Sequence, residues 1–85
     1  FDFLLHKSNM LIETHGTFLH ADPRFYDHNK LRVVQTSNLA NDMRKEVAAK
    51  AAGFQFQVFW EHDILNNADQ VKSELLTLFA MEELS

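Results

Sequence analysis

The run from Thr36 to Trp60 constrains this chain more than any other part of it. Residues 38–53, NLANDMRKEVAAKAAG, are rich in Ala, Lys, Glu, Arg and Met, which favours helix. Thr36 or Ser37 is in position to cap its N-terminus, and Gly53 stands where a helix stops. Leu39, Met43, Val47 and Ala51 recur every four residues and are expected to face the core. Phe54 to Trp60, FQFQVFW, then alternates aromatic or β-branched residues with glutamine, the pattern of a strand with one buried face. A helix leading into a strand is the usual connection between parallel neighbours, so the chain before it must supply a strand to pair with.

That strand is sought near the start. Phe1 to His6 alternates weakly, Lys7-Ser8-Asn9 makes a polar break, and Met10-Leu11-Ile12 resumes an apolar run. Together they predict an antiparallel hairpin. Gly16 follows, and the second strand either continues or kinks through Phe18 and Leu19. Ala21 to Asn29 carries Pro, Asp, Asn and aromatics without a period and reads as loop. Asn66 or Asn67 is placed to cap a last helix, with Val71, Leu75, Leu78 and Phe79 on its inner side. The order is β-β-loop-α-β-α, with the third strand beside the first or the second. The predicted fold is α/β (α+β), a small central mixed β-sheet flanked by helices, in one domain spanning 1–85. The chain has no initiator Met and opens inside a strand-like run, so it is expected to be a piece of something longer.

Composition narrows the function classes. The chain is 46% hydrophobic and 24% charged, an ordinary globular balance. No apolar run approaches the roughly 18–20 residues of a membrane span, so no membrane association is expected, and no signal peptide is visible. The absence of cysteine excludes disulfides, thiol nucleophiles and cysteine-based zinc sites, and is compatible with a reducing compartment. A net charge of −4 argues against a chain that binds nucleic acid tightly by itself. The basic residues cluster, however: Arg24, Lys30, Arg32, Arg44, Lys45 and Lys50 lie in the middle, while Glu74, Glu82 and Glu83 lie towards the end.

Among five histidines, His6, His28 and His62 read as surface or hydrogen-bonded structural groups. Asp2, Glu13 and His15 are better placed. Glu13 and His15 are two apart on one strand and so share a face, and the hairpin carries Asp2 alongside them. Two carboxylates and an imidazole at a strand end suit a hard divalent cation, and they equally suit a cross-strand polar pair. Asn38 and Asp42, four apart, share one helix face, which could also be plain solvated surface. HExxH, a Gly-rich phosphate loop and G-x-S-x-G are all absent, and a zinc site from His and acid has no spacing signature here.

Asp2 with LIETHGTFLHAD, the helix NLANDMRKEVAAKAAG and the strand FQFQVFWE together resemble very-short-patch repair (Vsr) endonucleases and Vsr-like homing endonucleases, within the wider PD-(D/E)XK nuclease group. The resemblance runs from Asp2 to Glu61. Its most specific parts are THG-x-F-x-H at Thr14 to His20, the N-x-x-x-D of Asn38 and Asp42, and Gly–strand–Trp–Glu from Gly53 to Glu61. It implies a restriction-endonuclease-like catalytic domain that uses one or two Mg²⁺ ions to hydrolyse double-stranded DNA. Asp2 would be the metal-binding strand carboxylate and Thr14 a ligand through its carbonyl. Glu13 stands at the second acidic position of the wider group and would bind the metal with Asp2, and His15 stands at the place of its usual lysine. His20 corresponds to the catalytic histidine, with Asn38 and Asp42 holding water or a second metal and orienting it. Phe18, Leu19, Arg24, Lys30 and Arg32 are candidates for a DNA-facing loop.

Four departures qualify the resemblance. Thr17, Asp22, Arg24 and His62 occupy the positions of a zinc site in Vsr enzymes, so no structural zinc is expected. Leu19 stands where those enzymes wedge a tryptophan into mismatched DNA, while Phe18 is retained. The loop from His20 to Asn38 is shorter, and an upstream acidic residue has no counterpart before Phe1. These favour a phage-encoded or intron-associated homing endonuclease, cytoplasmic in a bacterial host, over a mismatch-repair nicking enzyme. An inactive nuclease-fold module for DNA binding or assembly is the alternative, and a histidine-based zinc-binding interaction domain is a third. Cutting both strands takes either a homodimer or two successive nicks, and the sequence leaves both open.

Overall fold

The computed structural model describes residues 2–84. Its elements are β1 (Phe3–Leu5), β2 (Met10–His15), α1 (Val33–Ala51), β3 (Gln55–Trp60), α2 (Glu61–Asn66) and α3 (Ala68–Leu84). Phe1, where the first strand was expected to begin, lies outside the described residues. β1 and β2 form the antiparallel hairpin, with Phe3 opposite Ile12 and Leu5 opposite Met10. Asn9 closes the turn at φ 51°, a conformation that asparagine tolerates well. β3 runs parallel to β2, from Met10 beside Gln55 to His15 beside Trp60. The sheet order is β1-β2-β3, a small mixed sheet flanked by helices, which is the α/β (α+β) class expected.

Alternation along β2 divides the molecule in two. Met10 and Ile12 point to one face, where they join Phe59 and Val71 in the core, with Leu5, Leu75 and Leu78 packed around them. Ile12, 1% exposed, is the centre of this cluster. Leu11, Glu13 and His15 point to the other face, beneath α1. The hairpin turn is also tied to the far end of α3. Glu82 accepts hydrogen bonds from the backbone N–H of Lys7 (2.7 Å) and of Ser8 (2.8 Å), and from the Ser8 hydroxyl.

The helices depart from expectation in four ways. α1 begins at Val33 rather than at residue 38. Its start is set by Gln35, whose Oε1 accepts the Arg32 N–H at 3.0 Å and satisfies a donor that the helix leaves unpaired. Its end is the expected one. Gly53 takes φ 89°, Gly53 N–H bonds Lys50 O and Phe54 N–H bonds Ala49 O, a Schellman closure.

Second, the expected inner stripe of α1 is corrected. Leu39 is half-buried, but Met43 is 62% and Val47 68% exposed, and Ala51 is exposed as well. Repeats of strictly four residues creep round a helix by about 40° a step, because one turn takes about 3.6 residues. The inward side instead follows Gln35, Leu39, Asp42 and Ala49, of which Gln35 and Ala49 are buried and the other two half-buried. Third, Phe79 is not inward. It is 44% exposed, while Val71, Leu75 and Leu78 make the contact. Fourth, α2 occupies a stretch expected to be a connection. No described helix is long and apolar enough to cross a membrane.

This arrangement fixes which apolar residues carry stability. Ile12→Ala should lower the unfolding free energy by about 2–5 kcal/mol, as a large-to-small change in a closed core does. Met43→Ala should stay within about 0.5 kcal/mol, as surface changes usually do. Urea unfolding of both variants measures the contrast. Equal losses would place Met43 in the core.

Candidate active site

The site forms where the C-terminal end of β2 meets α1. Beyond His15 the chain coils tightly: His20 N–H bonds Gly16 O, Ala21 N–H bonds Phe18 O, and Asp22 N–H bonds Thr17 O. Ala21 sits at φ 51°, a conformation costly for alanine, and is fully buried there. α1 grips this coil with three polar side chains. Gln35 Nε2 donates to Phe18 O at 2.8 Å, Asn38 Nδ2 donates to Leu19 O at 2.8 Å, and Asp42 Oδ2 lies 2.6 Å from His20 Nδ1. Their spacing of three and four puts them on one side of the helix, so they engage three consecutive residues of the coil.

His20 is thereby held against His15. The two imidazoles stack with centroids 4.2 Å apart and planes 14° apart. His15 is pinned from two further sides, by Glu13 Oε1 at 2.6 Å from its Nε2 and by the Trp60 ring, edge-on at 5.3 Å. Carboxylates only accept, so Glu13 fixes a proton on Nε2 of His15, and Asp42 fixes one on Nδ1 of His20. The Nε2 of His20 is then left with its lone pair, as a general base requires. His15 Nδ1 stands 3.9 Å from Asp42 Oδ2, too far for a hydrogen bond.

Glu13 is buried, and a third group holds it. Lys45 Nζ from α1 lies 3.3 Å from Oε1. Burial pushes the Glu13 carboxyl up, but the hydrogen bonds from His15 and Lys45 outweigh it and hold it below its usual range. Lys45 escaped the sequence reading because nothing local links positions 13 and 45. Gln35 escaped it because the helix was expected to start later. Beside these groups a cavity of about 200 Å³ opens between α1 and β3, walled by Leu39, Phe56, Val58 and Trp60 with His15, His20 and Asp42 on its polar side.

Asp2 does not join this group. Its Oδ2 accepts the Thr14 N–H at 2.6 Å and the Thr14 hydroxyl at 2.9 Å, and the Thr14 bond holds its carboxyl below the ordinary range. Thr14 faces the opposite side of the sheet from Glu13 and His15. The hairpin therefore brings Asp2 to the same strand end but ties its carboxylate to Thr14 rather than to Glu13 and His15. Phe18 and Leu19 are 40% and 50% exposed at the tip of the coil, where Phe18 meets Tyr26 edge-on. Lys30 and Arg32 are exposed. Arg24 is committed internally, to Asp22 and, at 2.9 Å, to Asp63.

The four residues at the zinc positions of the resemblance make protein contacts instead. Thr17 Oγ1 accepts the His62 N–H at 3.0 Å, the His62 ring packs on Phe25, and Arg24 bridges Asp22 to Asp63. This ties the coil to α2. His28 also has a structural partner, the Ala21 carbonyl at 2.8 Å from Nε2.

The Arg24 guanidinium holds the fully buried Asp22 carboxyl below its usual range. A carboxyl depressed in the folded state lends stability that is complete above about pH 4 and is lost as pH falls through the folded value. Arg24→Ala leaves that carboxylate buried without its guanidinium, with only the backbone N–H of residue 24 still donating to it. It should lower the thermal midpoint by several degrees at neutral pH, with a deficit that shrinks in acid as Asp22 takes up a proton. Thermal melts of both proteins across the acid range check the sign. Compared with family models, curated proteins and solved structures, the chain matches none.

Proposed function

We propose that this chain is a metal-dependent DNA endonuclease domain of the Vsr-like kind, hydrolysing phosphodiester bonds in double-stranded DNA. The observation that carries the reading is the His20–Asp42 pair at 2.6 Å, with the Nε2 of His20 left to move a proton. Hydrolysis needs a water at phosphorus, relief of charge on the phosphate, and a proton for the departing oxygen. His20 serves the proton transfers, and Asp42 holds its tautomer and stabilises the imidazolium that forms.

Asp2 and the Thr14 carbonyl are oxygen donors of the kind Mg²⁺ prefers. Bound there, the ion would neutralise phosphate charge and activate water. Asp2 is exposed, and the Thr14 hydrogen bonds keep its carboxylate ionised and oriented. Glu13 is engaged by His15 and Lys45, so its part in this reading is to set the His15 ring rather than to stand open. DNA would meet the exposed Phe18–Leu19 tip, with Lys30 and Arg32 beside the same loop. The net charge of −4 predicts weak, salt-sensitive binding by this domain alone. A homing endonuclease acting in a bacterial cytoplasm is the setting this reading implies.

Plasmid nicking with Mg²⁺ tests it. His20→Ala, Asp2→Ala and Asp42→Ala should each reduce the nicking rate by about 10²–10⁴-fold, the range for losing a positioned acid–base group. The fold should survive, because none of the three belongs to the core around Ile12. Unchanged cleavage in all three variants would end the assignment.

A further inference from the structure

Two imidazoles and a carboxylate converge at one point, and the acid–base role of His20 does not use them all. His15, His20 and Asp42 each offer a ligand atom, and the three atoms lie within 4.8 Å of one another. Glu13 accepts the Nε2–H of His15, which leaves Nδ1 as the ring's ligand atom, 3.9 Å from a carboxylate oxygen of Asp42. On the other side, Asp42 Oδ2 and His20 Nδ1 are 2.6 Å apart. An ion with bonds of about 2.0–2.1 Å in a tetrahedral arrangement keeps its ligand atoms roughly 3.3–3.4 Å apart, a spacing these two separations straddle.

We propose that His15, His20 and Asp42 form a binding site for a borderline divalent transition metal such as Zn²⁺, separate from the oxygen donors Asp2 and Thr14. Two nitrogens and one carboxylate oxygen select Zn²⁺, Co²⁺ or Ni²⁺ over Mg²⁺. Glu13 on the far nitrogen of His15 is the carboxylate partner that orients a ligating imidazole and strengthens it as a donor. Three protein ligands leave a fourth position open to the neighbouring cavity.

The rings are stacked almost parallel, so they cannot aim at a common ion as they stand. His20 turns about its Cβ–Cγ bond as the ion replaces the proton it shares with Asp42. Its side chain is 25% exposed against 5% for His15, so His20 is the one free to move. Occupancy removes the proton-carrying group of the proposed reaction, which makes this a site where Zn²⁺ inhibits. The inhibition rests on the nuclease reading; the binding does not.

Cobalt titration of the chelator-stripped protein, followed by visible absorption, tests the site directly. We expect one Co²⁺ per chain, displaced by Zn²⁺ and not by a large excess of Mg²⁺. His20→Gln and Asp42→Asn should lose stoichiometric binding, Glu13→Gln should weaken it by about 10–100-fold, and Asp2→Asn should leave it unchanged. Binding below one equivalent, binding that survives both His20→Gln and Asp42→Asn, or binding lost in Asp2→Asn would overturn the site. Nicking with Mg²⁺ but no Co²⁺ binding removes only the metal site. Co²⁺ binding without nicking removes only the nuclease reading.

Discussion

The hold of α1 on the coil at Phe18 to His20 is what the rest of the site depends on. Gln35, Asn38 and Asp42 meet three successive residues of the coil through two backbone carbonyls and one imidazole. Each amide–carbonyl bond is worth only about 1 kcal/mol net. Their larger effect is on geometry. The Phe18 carbonyl is partly buried against the helix, where leaving it unpaired would be costly. Once the two carbonyls are paired, the backbone leading into His20 is held, and Asp42 sets its ring against His15.

That same hold explains why the inner side of α1 is polar. The sheet offers two faces of different chemistry because β2 alternates Met10 and Ile12 with Glu13 and His15. α3 takes the apolar face and makes the core with Val71, Leu75 and Leu78. α1 takes the polar face, so hydrogen bonds to the coil and Lys45 reaching Glu13 join the burial of Ala49 and part of Leu39 in choosing its rotation. Met43 and Val47 are left on the outside as a result.

Charge follows the same division. The cations nearest the site are spent on internal carboxylates, Lys45 on Glu13 and Arg24 on Asp22 and Asp63. Both partnerships are structural, since they keep buried or half-buried carboxylates ionised. Lys30 and Arg32, just before α1, are left exposed.

Local pattern was enough for the strands. An apolar run located β2 and alternation located β3, the turn at Lys7-Ser8-Asn9 located the hairpin, and a helix leading into a strand required the parallel pair. Gly53 marked the end of α1 because only a left-handed residue closes the helix there. In the site, the i,i+4 spacing of Asn38 and Asp42 marked one face of one helix. The sequence could not say which face turned inward, because a helix is free to rotate about its axis until something packs against it. The Gln35 and Lys45 contacts with Phe18 and Glu13, the outward Met43 and Phe79, and the stacking of His15 on His20 were decided by tertiary structure. Each joins residues 17 or more positions apart, or depends on a neighbouring element, and no local period carries that information.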